Sequence, residues 1–197
     1  MSGYTVARSE RFKDHRVHQT VREIRSGFEE ADFVKARRSM KVRASVGMGN
    51  WAVIPWVAFL DSRETATTQS GVYVIILFSA DMSGLYVTLN QGITEPMGRF
   101  GRADARSALR GRALTIRARF PDLQDRGFNV GTSLDLKAQR NFTVGLEDST
   151  IAHRFFTRDE LEKGDAVMTS LQTALDVYER YLAAPLALEI DRDALEG

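Results

Sequence analysis

Val17, Val21, Ile24 and Phe28 recur at helical spacing and predict an amphipathic helix from about Ser9 to Ala36, with Gly27 as an interruption or an end. From Lys41 the period drops to two. Val42, Ala44 and Val46 alternate with Arg43 and Ser45, the pattern of a half-buried strand. Gly47-Met48-Gly49-Asn50 reads as a turn, and Trp51 to Leu60 as a second extended run. Pro55 inside that run has no N–H for a ladder, so the strand must be at an edge or bulged there. Asp61 to Gly71 is a polar loop. Gly71 to Ser79 is the strongest strand pattern in the chain, and Leu85 to Gln91 follows it after an Asp81–Gly84 turn as an antiparallel partner. Residues 102–119 read as a helix with Ala105, Leu109, Ala113 and Ile116 on one side, and residues 128–136 and 150–156 as short strands. Asp159 to Ala183 reads as one long helix carrying Val167, Leu171, Leu175, Tyr178 and Leu182. The order predicts an α+β fold, a mostly antiparallel sheet flanked by N-terminal, middle and C-terminal helices, without the strand–helix alternation of a doubly wound sheet.

The 197 residues suit one domain, taken as residues 1–185, with 186–197 as a linker or the start of a following region. Hydrophobic residues make up 43%, enough for a core. The longest apolar run, Val72 to Phe78, is too short to span a bilayer, so no membrane association is expected. The absence of cysteine excludes disulfides and thiolate chemistry and fits a cytoplasmic protein. The net charge of +1 conceals a balance of +8 over residues 1–146 and −7 over 147–197. A basic body of this kind can attract a polyanion.

Several chemistries are missing from the sequence. There is no P-loop, dinucleotide fingerprint, metalloprotease helix or nucleophile elbow, and no cofactor or metal is expected. His15 and His18 are spaced as a metal pair on a helix or as solvated surface residues. Pro121-Asp122 followed by Asp135-Leu136-Lys137 has the form of a Mg²⁺-dependent nuclease site, two carboxylates for the metal and a lysine for the attacking water; an acid in a turn after a helix end explains Asp122 equally well.

Seven arginines lie between Arg99 and Arg119 against the single acid Asp104. Arg99, Arg102, Arg106 and Arg110 would share a helix face, where a phosphate backbone would offset their mutual repulsion; the alternative is a solvated face. The strand Gly71–Ser79 is apolar on both sides, with Val72, Val74, Ile76 and Phe78 on one and Tyr73, Ile75 and Leu77 on the other. It is therefore central and doubly covered, or one face lines a pocket. Met48 between two glycines puts an apolar side chain at a turn tip, the mounting a wedge into a base stack would need, or else it folds back onto the sheet.

The stretch Val46-Gly47-Met48-Gly49-Asn50-Trp51-Ala52-Val53-Ile54-Pro55-Trp56-Val57-Ala58-Phe59-Leu60, with Gly71 to Phe78, resembles the N-terminal DNA-binding domain of McrB-type restriction proteins. The likeness is carried by about Lys41 to Glu95, and Ile151–Phe156 with the C-terminal helix looks like the end of the same domain. The resemblance implies a non-catalytic reader of a modified base, 5-methylcytosine or a related modified cytosine, in duplex DNA. The base would be flipped out of the helix, as the targeting step of type IV, modification-dependent restriction in phage defence. It implies a partner AAA+ GTPase motor or nuclease domain or subunit. Carried over by position, Trp56, Tyr73, Leu77 and Phe128 would line the base pocket, and Gly47, Met48, Gly49 and Asn50 would form the base-flipping loop with Met48 as gap filler. Lys41 and Arg43, with Arg99 and Arg102, are candidate contacts to the DNA backbone. On a straight strand Tyr73 and Leu77 are ~13 Å apart, so a shared base requires a curved or bulged sheet. The alternatives from other classes are the Asp122/Asp135/Lys137 nuclease and a recruitment domain without base reading.

Overall fold

The computed structural model describes residues 2–131, 134–139, 143 and 145–188. Five strands, β1 (Met40–Met48), β2 (Asn50–Asp61), β3 (Val72–Phe78), β4 (Gly84–Gln91) and β5 (Thr150–Thr157), form one curved antiparallel sheet in sequence order. Three helices precede the sheet: α1 (Ser2–Ala7), α2 (Val17–Glu30) and α3 (Asp32–Lys35). Among the described residues, α4 (Thr94–Phe100), α5 (Arg102–Arg119), α6 (Asp122–Asp125) and α7 (Leu146–Ser149) lie between β4 and β5, and α8 (Arg158–Glu162) and α9 (Ala166–Leu182) follow β5. The α+β arrangement follows the sequence pattern. Among the described residues no helix is long and apolar enough to cross a membrane.

The two faces of β3 are buried by different means. Val72, Val74 and Ile76 join Val87 and Leu89 of β4 in a core completed by Ala113 and Ile116 of α5 and by Leu171, Leu175 and Tyr178 of α9. On the opposite face, Tyr73, Ile75 and Leu77 pack with Ala58, Tyr86, Leu134 and Leu136. That second cover includes the loop carrying Leu134 and Leu136.

Three predicted elements take another form. The first helix begins later than expected, at Val17, because residues 9–16 are held in turns. Asp14 has φ +62°, in the left-handed region, and the Glu10 carbonyl accepts a hydrogen bond from the indole of Trp51 at 2.9 Å. Gly27 lies inside α2, and the chain leaves the helix at extended Ala31. The C-terminal helix splits at Gly164, φ +119°, after a short turn capped reciprocally by Thr157 and Glu160. The strand expected over 128–136 reduces, among the described residues, to one bridge between Asn129 and His153. Leu134 and Leu136 are buried and Asp135 and Lys137 are exposed, so a loop lying on a sheet face reproduces strand periodicity without a ladder. Leu186 packs against the core, and residues 189–197 lie outside the described residues.

Pro55 sits in an interruption. Ser45 pairs with Trp56 and Gly47 already pairs with Trp51, while pairing of β2 to β3 begins at Trp56. Residues 52–55 therefore leave the ladder and arch over the sheet, which satisfies the proline's missing donor.

Candidate nucleic-acid interface

The arch roofs a cavity. Ala52, Val53, Ile54 and Trp56 of β2, Tyr73, Ile75 and Leu77 of β3, and Asn90 of β4 line a space of about 280 Å³, with Thr68, Ile93 and Leu146 completing it. Register explains the grouping. Trp56 pairs with Leu77 and Tyr73 with Asn90, and paired residues share a face. The row Tyr73–Ile75–Leu77 spans the cavity as its floor. Trp56 is half-buried, and the residue also borders a second cavity of about 370 Å³ beneath α2. Burial raises the pKa of the Tyr73 phenol, partly offset by a hydrogen bond with Asn90, and its hydroxyl donates to the Thr68 carbonyl at 2.9 Å. The phenol stays neutral at any physiological pH.

The walls are held by polar ties. Glu64 accepts from the backbone N–H of Val72 at 3.0 Å, from Arg112 at 2.8 Å and from the Tyr181 hydroxyl at 3.2 Å, and so fixes the loop that carries Thr68. Asp148, one turn from the start of α7, accepts from Arg106 and, at 3.0 Å, from Arg110. This double ion pair holds α7, and with it Leu146, against α5. Arg117 donates to the carbonyls of Thr150 and Ile151 at 2.7 Å, and Arg119 to that of Ala184. Most of the arginine cluster is therefore spent inside the molecule. The face predicted for Arg99, Arg102, Arg106 and Arg110 is also divided, because Gly101 at φ +81° separates α4 from α5. Arg99 lies over the Phe100 ring at 4.9 Å, and both Arg99 and Arg102 are exposed.

Met48, at the end of β1, is 96% exposed. Gly47 and Gly49 have φ +120° and +78°. At Gly47 the need for glycine is steric as well, since a Cβ there would stand 1.9 Å from the Asn50 carbonyl oxygen. Directly beside the tip the hairpin is packed in aromatic rings. Trp51 is surrounded by the rings of Tyr4, Phe12, His15 and His18 at centroid distances of 4.9–5.7 Å. The Tyr4 hydroxyl donates to the Ala52 carbonyl at 2.7 Å, and burial, countered slightly by Arg8, pushes its pKa up to about 12. His15 and His18 are thus neither a metal pair nor solvated; they pack on the indole. Lys41 and Arg43 are exposed, and their register with Leu60 and Ala58 puts them on the cavity's face of the sheet.

Phe128 does not reach the cavity. It is buried in the opposite core with Leu123 and Phe120. The nuclease triplet is also dispersed: Asp122 is bound by Arg126 and Arg180 on the α9 side of the sheet, whereas Asp135 and Lys137 pair with each other on the loop-covered side. Among the described residues no three acidic or histidine side chains gather as a metal site. Sequence reasoning missed Asn90, Ile93, Leu146 and the arch itself. Asn90-Gln91, two amides ending an otherwise apolar strand, were the available signal for the first.

Over 64 residues, 32% of the chain, the sequence is 36% identical to the type IV methyl-directed restriction enzyme EcoKMcrB subunit of Escherichia coli K12, a match that spans 13% of that protein's length. The family model described as the MrcB-like N-terminal domain matches residues 1–183, and the chain belongs to that family.

Proposed function

We propose that the chain is a DNA-binding specificity domain of a modification-dependent, type IV restriction system, without catalysis of its own. A modified base, most simply 5-methylcytosine, leaves the duplex and enters the cavity between Trp56, Tyr73 and Leu77, and Met48 fills the gap it leaves. Lys41 and Arg43 hold phosphates along the β1 edge, with Arg99 and Arg102 beyond the Ile93 end of the cavity. An effector, an AAA+ GTPase motor or a nuclease, acts from another domain or subunit in the cytoplasm.

One observation carries this reading. The apolar cavity and the two exposed cations of β1 share one face of the sheet, and the almost fully exposed Met48 tips the hairpin that carries those cations and the β2 wall of the cavity. Extruding a base costs a few kcal/mol, which aromatic contact and burial of an added methyl, worth about 1 kcal/mol, help to offset. The test is a competition titration at two salt concentrations. A duplex with one 5-methylcytosine is challenged by unmodified, hydroxymethylated, N4-methylated and N6-methyladenine duplexes. The modified-cytosine duplex should win, and Trp56→Ala should abolish the preference while salt-sensitive background binding persists. Equal binding of all duplexes overturns the reading. No binding at low salt leaves a recruitment domain.

A further inference from the structure

Among the described residues, the side-chain amide that lines the cavity is that of Asn90, which is 1% exposed and directly across the ladder from Tyr73. Its Oδ1 accepts from the Ser149 hydroxyl at 3.2 Å. Oδ1 is on the Ser149 side, where the hydroxyl is shared with the Leu146 carbonyl at 3.0 Å, and the amide nitrogen faces away from Ser149. The proton of the neighbouring Tyr73 hydroxyl is committed to the Thr68 carbonyl, so toward the amide the phenol oxygen can only accept. The amide N–H groups are donors for whatever occupies the cavity that Asn90 lines. A buried donor of this kind rejects a ligand that cannot accept from it more strongly than apolar walls reject a misfit.

Apolar walls cannot finish the recognition that the base-reading proposal requires. Thymine carries the same C5 methyl as 5-methylcytosine and has the same ring size. The two differ at the Watson–Crick edge, where cytosine offers an unprotonated N3 beside an amino group and thymine offers an N3–H beside a carbonyl. We infer that Asn90 is the specificity-determining residue that makes the cavity take a 4-aminopyrimidine in preference to thymine, its Nδ2–H donating to the unprotonated ring N3. Ser149 acts as a positioning residue, holding the amide in the donor-inward orientation. This inference rests on the base-reading proposal above, and the experiment separates the two.

Four duplexes carry 5-methylcytosine, cytosine, thymine or uracil at one position, each opposite an abasic site so that no base pair has to be broken. The ratios 5-methylcytosine to cytosine and thymine to uracil report the methyl-sensing walls. The ratio 5-methylcytosine to thymine reports the edge. The wild type should favour 5-methylcytosine over thymine at least tenfold. Asn90→Leu, close in size and without a donor, should bring that ratio near one while leaving the thymine-to-uracil ratio unchanged. Ser149→Ala should lower the same edge ratio with less effect on the fold, and it decides the matter if Asn90→Leu does not fold. If the wild type prefers 5-methylcytosine to cytosine but both folded variants keep the wild-type edge ratio, the role of Asn90 is refuted and the base-reading proposal survives. If the wild type shows no methyl preference, both fall.

Discussion

The salt dependence of DNA binding separates the two basic regions of the molecule. Lys41 and Arg43 have no acidic partner among the described residues, whereas Arg106 and Arg110 are bound to the buried Asp148. Each phosphate contact contributes about 0.9 to the slope of log affinity against log salt concentration. Lys41→Gln with Arg43→Gln should therefore flatten the slope by about 1.8. A fourfold rise in salt then weakens the double variant about twelvefold less than the wild type. Thermal stability should be unchanged, because both side chains are exposed. Arg106→Gln with Arg110→Gln should do the reverse. Charge-assisted hydrogen bonds to a buried carboxylate contribute about 1.5–3 kcal/mol, but these guanidinium side chains are 39% and 48% exposed and recover solvent when released. About 1–2 kcal/mol for the pair is a reasonable discounted figure, a fall of roughly 3–6 °C in Tm for a domain of this size. Fluorescence anisotropy from 50 to 200 mM salt gives the slopes, and a thermal melt gives the stability. A flattened slope in the α5 variant with an unchanged one in the β1 variant would move the DNA to the other end of the sheet and refute the assignment of the cavity face.

Met48→Ala should leave the melting temperature within 1 °C, since the side chain buries almost nothing, yet reduce the fluorescence gain of a 2-aminopurine placed beside the modified base if the wedge holds the extruded state. Gly47→Ala places a Cβ on the Asn50 carbonyl at positive φ, so a local cost of about 1–3 kcal/mol should displace the hairpin; loss of modified-base preference with a native far-ultraviolet spectrum is the expected readout. Asp148→Asn should weaken the hold on α7 and raise background DNA affinity, because it frees two arginines; unchanged binding at 50 mM salt would count against that. Burial, reinforced by Arg117, lowers the pKa of His153 below its unfolded value. The unfolded chain then binds the extra proton more readily, so this contribution to stability is complete above about pH 6.5 and is lost as pH falls below it. Asp61 does not confuse the measurement. Burial alone would raise its pKa, but hydrogen bonds from Arg63 and Ser39 hold it down to about 2, and its contribution is lost only as pH falls from about 4. Urea unfolding at pH 7.5 and 5.5 should show a smaller pH effect in His153→Gln than in the wild type.

The sequence alone determined the sheet and the identity of its two faces. Alternation in β1 and the double apolar faces of β3 are properties of period-two side-chain placement, which local order carries completely. The same alternation located Tyr73 and Leu77 on one face, and Pro55 announced a break in the ladder. The glycines around Met48 marked a strained tip, because only glycine accepts the backbone that the turn requires. Helix ends were less legible. The turn at residues 9–16 is set by Trp51, some forty residues away, and no local pattern contains that partner. Leu134 and Leu136 mimicked a strand because a loop pressed on a sheet also buries every second residue.

Tertiary structure alone decided what the charges do and where the cavity is. Seven arginines in twenty-one residues look like a polyanion surface until their partners, Asp148, Glu64 and the carbonyls of β5, come from elsewhere in the chain. Charge is a property of a residue, but free charge is a property of its neighbourhood. Phe128 carries the chemistry of a pocket aromatic and faces the other core, because a facing direction outside a regular strand has no period to read. The cavity itself exists because four residues of β2 leave the ladder and arch over three side chains of β3, and the buried amide of Asn90 is brought in by the register of β4. Periodicity fixes which side a residue faces. Only the pairing of distant segments fixes what it faces.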